Sequence, residues 1–299
     1  MSRIHEALKK AEEEKSPTRS APGAGPLDFA GDVAEPSPLG TLYPQMPGGA
    51  PTPEFCLGLE ELRGRCAKPG WKMNPDYDVF SAKQSSFPCA EEFRTLRSRL
   101  YRLREKNPIR ILLVTSTLPG EGKTFVALNL ALAITRQHER RALLIDADLR
   151  ASRLHVRMGA PSAPGLSDYL NGRADEFSVL QADAKADLFL IPAGRFVPNP
   201  AELLANGLLK GLLDRVSPLF DWVILDAPPV LAVSDAGVLA GLCDGVIVVV
   251  RAGATAHDLV QTTLQEFRGK NLLGVVLNRA EGEANYGGAY SYGYGVDTK

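Results

Sequence analysis

The stretch from Thr115 to Thr124 constrains the fold of this chain more than any other, and it reads Thr-Ser-Thr-Leu-Pro-Gly-Glu-Gly-Lys-Thr. An apolar run over 109–114 precedes it and predicts a buried strand, and the run over 125–134 that follows it predicts a helix. A strand, a glycine-rich loop that ends in Gly-Lys-Thr, and a helix, in that order, predict a phosphate-binding loop. The backbone N–H groups of such a loop converge on one anion together with the unpaired donors of the helix's first turn.

Each residue type in this loop has a predicted part. Glycines let the backbone approach the phosphates, the lysine places an ammonium on the β- and γ-phosphates, and the threonine hydroxyl ligates Mg²⁺. The general pattern has a glycine six residues before the lysine, where this chain has Thr117, so we expect a variant loop. The residues expected to bind the nucleotide are Pro119, Gly120, Glu121, Gly122, Lys123, Thr124 and Phe125.

The order of apolar runs predicts an α/β fold, a P-loop NTPase with a mostly parallel sheet covered by helices on both faces. Runs that are apolar along their whole length and alternate with helical patterns are typical of such a sheet. Besides 109–114, strands are predicted at 141–145, 187–192, 222–225, 245–250 and 272–277. Helices are predicted at 165–170, 200–216 with a break near Gly207, 235–242 and 256–267.

Three aspartates, Asp146, Asp148 and Asp226, follow directly on predicted parallel strands. Ligands of parallel sheets bind at the carboxyl ends of the strands, so we expect these aspartates beside Lys123 and Thr124. Three carboxylates would repel a polyphosphate unless Mg²⁺, which takes oxygen ligands, lay between them. Any one of these aspartates alone would also suit an ordinary helix cap.

The two ends of the chain differ in composition from its middle. We predict a short amphipathic helix over 1–15, a flexible linker over 16–75, a P-loop domain over 76–281 and a tyrosine-rich tail over 282–299. The linker holds 11 of the 22 prolines, and such a segment buries too little apolar surface to offset the entropy of ordering it. Near its end we expect a helical turn at 56–65 and an extended segment at 71–80 against the domain.

A helix predicted at 89–106 carries Glu91, Arg94 and Arg97 in a polar stripe beside an apolar face. The stripe is either a partner surface or a solvated face with an intrahelical ion pair, and periodicity alone favours the solvated face.

The last 14 residues hold four of the eight tyrosines, Tyr286, Tyr290, Tyr292 and Tyr294, among glycines and serine. Tyrosines elsewhere usually serve in cores or interfaces. This tail is either a low-complexity sequence or a set of phosphate acceptors beside a phosphoryl-transfer site.

Charge and cysteine content narrow the functional classes. The net charge of −1 gives no general attraction to nucleic acid. The four cysteines, at 56, 66, 89 and 243, have no disulfide or zinc spacing, which favours a reducing compartment. No apolar run is long enough to span a membrane and no signal peptide is evident, so we expect a cytoplasmic protein.

These motifs together resemble the bacterial tyrosine kinases of capsule and exopolysaccharide biosynthesis. The resemblance covers the chain from about Glu91 to the C-terminus. It depends on a Walker A motif at 116–124, a Walker A′ motif at 144–150 and a Walker B motif at 223–229. The Glu-x-x-Arg-x-x-Arg stripe of the helix and the terminal tyrosines complete it.

The resemblance implies a role for each motif. Lys123 and Thr124 would bind ATP and Mg²⁺, Asp148 and Asp226 would support the metal, and Asp146 would take the proton of the acceptor tyrosine. The Glu91, Arg94 and Arg97 stripe would build a ring-shaped homo-oligomer in which each tail enters a neighbour's site. A separate membrane protein would activate the kinase and recruit it to the inner face of the cell membrane. Apart from the resemblance, Asn278 is the candidate for adenine recognition because it lies just past the last predicted strand.

The sequence differs from the family pattern at two positions, and two other functions remain as alternatives. Ala151 and Ser152 follow Arg150, where the family usually has a basic residue and a proline. A partition- or division-site ATPase of the same superfamily would carry a second lysine at the position of Leu118. A nucleotide-binding scaffold without transfer activity would keep every motif.

Overall fold

The computed structural model describes residues 58–81, 88–183 and 187–280. These residues form a seven-stranded sheet in the order β3-β4-β2-β5-β1-β6-β7, parallel except where β3 pairs with β4. The predicted α/β fold with a mostly parallel sheet is confirmed. The strands are β1 Ile111–Ser116, β2 Ala142–Asp146, β3 Gln181–Ala182, β4 Leu188–Ile191, β5 Trp222–Asp226, β6 Gly245–Arg251 and β7 Leu272–Asn278.

Helices connect the strands and lie on both faces of the sheet. They are α1 Leu59–Arg65, α2 Pro88–Lys106, α3 Lys123–Thr135, α4 Leu154–Met158, α5 Leu166–Leu170, α6 Glu176–Val179, α7 Pro200–Leu204, α8 Leu208–Val216, α9 Asp235–Ala240 and α10 His257–Glu266. The predicted break near Gly207 is confirmed, because α7 ends at Leu204 and Gly207, with φ 82°, is the N-cap of α8.

Each face of the sheet has its own hydrophobic core. In β1 the side chains alternate: Ile111 and Leu113 pack with α8 on one face, while Leu112 and Val114 pack with α2 and α3 on the other. Strand residues that are buried on both faces explain why the sequence shows continuous apolar runs rather than alternation.

The residues just before the domain are packed against it. Leu62 of α1 is fully buried, and Ala67 forms a bridge with Gln181 of β3. The expected helical turn is confirmed as α1, and Val79 and Phe80 are buried after a 3₁₀ turn at Pro75–Tyr77. Leu62 and Cys66 are thus core residues within the predicted linker, where proline-rich composition hides them, while Val79 and Phe80 lie in the segment that was expected against the domain.

Four predicted features lie outside the described residues. They are the amphipathic helix at 1–15, most of the linker, the tyrosine tail over 282–299 and Cys56. In the described part of the chain, the cysteines at 66, 89 and 243 are free thiols. There, too, every helix is too short or too polar to cross a bilayer.

Candidate active site

The glycine-rich loop turns sharply between β1 and α3. Gly120 has φ 83° and Gly122 has φ 100°, a region that non-glycine residues rarely adopt. A side chain at Gly122 would also collide with Asn278, since a Cβ there would lie 2.0 Å from the amide nitrogen Nδ2. Thr117 shows no such φ, so this position does not demand the glycine that the general pattern has there.

Glu121 lies behind the loop rather than in its anion-binding face. Its carboxylate accepts hydrogen bonds from the N–H of Leu118 at 2.7 Å, the N–H of Arg251 at 3.3 Å and the hydroxyl of Thr255. The side chain is 3% exposed, and its own carbonyl accepts from Asn278 Nδ2 at 2.8 Å. The side chain of Glu121 therefore fixes the shape of the loop, so the part in nucleotide binding that was predicted for this residue would fall to its backbone.

A cleft of about 760 Å³ opens above the loop. Most of the residues expected to bind nucleotide line it: Pro119, Gly120, Gly122, Lys123, Thr124 and Phe125. Asp148 and Asn278 also line it, as the metal and adenine expectations require. Asp146 and Asp226 lie below the lining and are 0% and 1% exposed.

The three aspartates and Lys123 form one cluster. Asp146 and Asp226 end neighbouring parallel strands and stand opposite each other in register. The Nζ atom of Lys123 lies 2.8 Å from Asp148 Oδ2 and 3.5 Å from Asp226 Oδ1. The expected gathering of these carboxylates at the edge of the sheet that carries the loop is confirmed.

Burial and mutual repulsion shift the pKa values of this cluster. Burial, followed by the charge of Asp226, raises the pKa of Asp146 to about 7. Burial also raises the pKa of Asp226, although the charge of Lys123 opposes it. Burial alone would lower the pKa of Lys123, but the charges of Asp226 and Asp148 outweigh it and raise that pKa.

The cluster leaves room for a hard cation. Both carboxylate oxygens of Asp226 are buried and have no hydrogen-bond partner among the described residues. No group of three or more His, Cys, Asp or Glu side chains in that part of the chain is arranged to hold a metal on its own. The oxygens of Thr124, Asp148 and Asp226 therefore suit Mg²⁺ that takes its other ligands from phosphates and water.

Ser152 makes a contact that the sequence did not reveal. Its hydroxyl donates to Asp146 Oδ2 at 2.7 Å and lies 3.1 Å from Nδ1 of His155. The N–H of Leu154 donates to the same Asp146 oxygen at 3.2 Å, and the N–H of Asp148 donates to Oδ1 at 3.3 Å. Asp146 is thus held on both oxygens, and the departure from proline at 152 supplies one of the donors.

Two further contacts at the cleft were also missed. Arg150 forms a two-pronged ion pair with the fully buried Asp235, at 2.8 and 3.0 Å. Asp76 and Tyr77 line the cleft from the segment before α2. The arginine at the end of the Walker A′ motif could have suggested the contact with Asp235. No sequence pattern predicts that Asp76 and Tyr77 line the cleft.

The polar stripe of α2 does not act as one surface. Arg94 Nη1 lies 2.9 Å from Glu91 Oε2 in an exposed intrahelical pair. Arg97 instead donates to the backbone carbonyl of Ala133, near the end of α3, at 2.6 Å. Glu91 and Arg94 are thus available at the surface, and Arg97 is bound within its own chain.

Comparisons with known proteins agree with this site. Residues 112–290 match the model of the CobQ/CobB/MinD/ParA nucleotide binding domain. The chain is 37% identical over 215 residues to the tyrosine-protein kinase wzc of Salmonella typhimurium, covering 70% of this chain and 30% of that protein. It is 33% identical over 207 residues to the tyrosine-protein kinase CpsD of Streptococcus agalactiae, covering 68% of this chain and 89% of CpsD.

Solved structures give the same relationship. The kinase domain of the Escherichia coli tyrosine kinase ETK superposes with a TM-score of 0.65 at 34% identity, over 72% of this chain and 84% of that one. The chimerical protein CapA2B2 has a TM-score of 0.64 at 28% identity, over 74% of this chain and 98% of that one. This chain therefore belongs to the CobQ/CobB/MinD/ParA nucleotide-binding family and, within it, to the bacterial tyrosine kinases.

Proposed function

We propose that the protein is an ATP- and Mg²⁺-dependent tyrosine kinase that phosphorylates its own C-terminal tyrosines. The observation that carries this proposal is the buried cluster of Lys123, Asp148 and Asp226 beneath a glycine-rich loop. The chain spans only 30% of wzc but 89% of CpsD, so the shorter relative is the better guide to the whole protein.

The loop binds the triphosphate through its own backbone. Gly122 and Lys123 at the start of α3 line the cleft, so the first N–H groups of this helix, which lack intrahelical partners, would be available to the phosphates, and the left-handed Gly122 would let the phosphates approach them. Lys123 contacts Asp148 and Asp226, so its ammonium is held close to where the β- and γ-phosphates would lie. Mg²⁺, when bound, neutralises part of the phosphate charge, and Thr124, Asp148 and Asp226 would hold it.

The transfer step needs a group that accepts the tyrosine proton. As the hydroxyl oxygen bonds to the γ-phosphorus, the bond from that phosphorus to the bridging oxygen breaks and ADP leaves. We assign the proton to Asp146, because a carboxyl whose pKa is about 7 suits a base near neutral pH. Asp148 is the alternative base because it lines the cleft, and Asp146→Asn and Asp148→Asn compared at saturating ATP would distinguish them.

The proposal extends to the assembly and location of the protein. Each tail, with its acceptors Tyr286, Tyr290, Tyr292 and Tyr294, would enter the site of a neighbour in a ring-shaped oligomer. Glu91 and Arg94 of α2 are the exposed residues that would meet that neighbour. A separate membrane protein would activate the cytoplasmic kinase, which would regulate exopolysaccharide or capsule synthesis and export.

Mass spectrometry tests the activity directly. The protein is incubated with ATP and Mg²⁺, with and without Lys123→Met, and phosphate is mapped on the four tail tyrosines. Phosphate on the wild-type tail that is lost in the variant supports the kinase. Phosphate absent from both, with ATP hydrolysed, leaves the partition-type ATPase, and absence of both activities with ATP bound leaves the scaffold. Nucleotide at 100-fold its Kd should stabilise the fold by about 2.7 kcal/mol, which reports binding.

A further inference from the structure

One cation in the wall of the cleft has no anion beside it. Arg157, on α4, lines the cleft together with Lys123 and Asp148. Its Nη1 atom is buried and has no hydrogen-bond partner among the described residues. No carboxylate of that part of the chain lies within ion-pair distance of it.

Such a group is costly in a folded protein. A guanidinium stays charged at physiological pH, and a charge removed from water needs paired or hydrogen-bonded partners. Burial lowers the pKa of Arg157, while the negative charges of Asp226 and Asp146 act in the opposite direction without touching it. Arg157 thus lines the cleft and has one nitrogen without a partner, while the nearby carboxylates contact Lys123 and Ser152.

The other arginines that follow the Walker A′ motif are placed differently. Arg150 has its guanidinium committed to the buried Asp235. Arg153 also lines the cleft, but it is exposed to solvent, where water satisfies its donors. Arg157 alone of these three combines partial burial with a donor that lacks a partner.

The surrounding structure holds Arg157 in place. Its guanidinium lies 4.8 Å from the centre of the Tyr77 ring, within range of a cation–π contact. The carbonyl of Arg157 accepts from the N–H of Asn74 at 3.0 Å. The same segment is fixed to α3 by Asn129, which donates to the Tyr77 carbonyl at 2.9 Å and accepts from the N–H of Val79 at 3.0 Å. The guanidinium is thus oriented before any ligand arrives.

We propose that Arg157 binds the phosphoryl group while it is transferred from ATP. In that transition state, negative charge spreads over the three equatorial oxygens of the γ-phosphoryl group, and a guanidinium presents donors in a planar fork that suits them. This inference rests on the proposed kinase function and adds one phosphate-binding residue to it. Tyr77 is the positioning residue, because its ring contacts the guanidinium and holds it in place.

The test compares a transition-state mimic with the product nucleotide. Calorimetry on the full-length protein measures the affinity for ADP·Mg²⁺ with and without fluoroaluminate, for wild type, Arg157→Gln and Arg157→Lys. We expect Arg157→Gln to weaken fluoroaluminate-dependent binding by about 100- to 1,000-fold, as the loss of one preorganised charge-stabilising donor does. Affinity for ADP·Mg²⁺ alone should change less than about threefold, since the fork acts only on the transferring group. The affinity of Arg157→Lys for the mimic should lie between those of wild type and Arg157→Gln, because lysine keeps the charge but not the planar arrangement of donors.

Controls separate this role from a structural one. Arg268→Gln removes an exposed arginine that precedes β7, at the amino-terminal end of that strand and so away from the site. It should change the affinity neither for ADP·Mg²⁺ nor for the mimic. Tyr77→Leu should weaken binding of the mimic and Tyr77→Phe should not, since phenylalanine keeps the ring. Thermal melting of each variant shows whether it is folded.

The results distinguish this inference from the kinase assignment. Equal losses of affinity for ADP and for the mimic in Arg157→Gln, or no loss of either, would overturn the role of Arg157. Tail phosphorylation that proceeds in Arg157→Gln at the wild-type rate would do the same while leaving the kinase intact. Absence of tail phosphate in the wild-type protein would instead remove the proposed function, and this inference with it.

Discussion

Lys123 has two tasks in this protein, because the residue that would bind phosphate also neutralises the acidic cluster. Its ammonium group contacts Asp148 and Asp226, and its charge opposes the effect of burial on the pKa of Asp226. A buried carboxylate left without its cation is strongly destabilising. A variant at this position therefore changes folding stability as well as catalysis.

We predict that Lys123→Met destabilises the nucleotide-free protein in a pH-dependent way. In the variant the raised pKa values of Asp146 and Asp226 should rise further, so the folded state binds more protons than the unfolded state above about pH 4. Stability then falls as pH rises, and we expect a deficit of about 3–5 kcal/mol at pH 8 that shrinks near pH 5.5. Urea denaturation at both pH values, without Mg²⁺, measures it.

The matched control is Lys210→Met, which removes an exposed lysine paired with Asp214 on α8. It should change stability by less than about 1 kcal/mol at either pH. A deficit for Lys123→Met that is equal at both pH values would contradict the prediction.

Ser152 tests how the candidate base is positioned. Ser152→Ala removes the 2.7 Å donor to Asp146, and a hydrogen bond to a charged group contributes about 1.5–3 kcal/mol. We expect kcat for tail phosphorylation to fall about tenfold or more with KM for ATP nearly unchanged. Ser152→Thr keeps the hydroxyl and should restore most of the rate, whereas Ser98→Ala, on the surface of α2, should have no effect. A change confined to KM would contradict this role.

At this scale the sequence predicted the charged residues of the site but not their partners. Lys123, Asp146, Asp148 and Asp226 follow from the order of strands and loop, because parallel strands bring their carboxyl ends together. Ser152 could not be predicted, because its contact depends on how the chain turns before α4.

The predicted stripe on α2 divides into two kinds of residue. Glu91 and Arg94 pair with each other at the surface, so both are accessible to a partner. The side chain of Arg97 crosses to α3 and satisfies the Ala133 carbonyl near the helix end, where intrahelical donors are lacking. Equal spacing along the helix therefore conceals different roles.

We predict that substitutions in this stripe separate stability from assembly. Arg97→Ala should lower the free energy of unfolding by about 1–2 kcal/mol, because it leaves the Ala133 carbonyl without that donor. Glu91→Ala and Arg94→Ala should change it by less than about 0.5 kcal/mol while they dissociate the oligomer. Urea denaturation and sedimentation velocity measure the two quantities. An oligomer unchanged in both surface variants would remove α2 from the interface.

Elements with a long periodic pattern were predicted well, and short ones in biased composition were not. Strand β1 ends at Ser116 rather than at residue 114, because Thr115 and Ser116 are polar yet buried, and Thr115 donates to the Pro228 carbonyl at 2.7 Å. Leu62 and Cys66 lie in the predicted proline-rich linker, yet both are buried in the core. Composition averaged over a long window cannot show two or three well-placed apolar side chains.

At the scale of the whole molecule, the chain leaves the domain beside the candidate site, a few residues before the proposed acceptor tyrosines. Strand β7 ends at Asn278, which contacts the glycine-rich loop, and Arg279 also lines the cleft. The proposed acceptor tyrosines begin seven residues later, at Tyr286. Residue 279, near the last described residue, thus lies at the wall of the cleft, and we expect charge added to the tail to act near the acidic cluster.

We predict that full phosphorylation of the tail converts the oligomer to monomers. Each phosphotyrosine adds about −1.5 to −2 charge, so four add roughly −6 to −8 to a chain whose net charge is −1. That repulsion, repeated in every subunit and directed at sites that hold three aspartates, exceeds an exposed ion pair such as Glu91 with Arg94, which contributes about 0.2–1 kcal/mol. Size-exclusion chromatography with light scattering, before and after phosphatase treatment, measures the change.

A variant with phenylalanine at all four positions should stay oligomeric in ATP, and salt should weaken the effect because it screens exposed charges. An oligomer of unchanged mass after complete phosphorylation would show that tail charge does not control assembly.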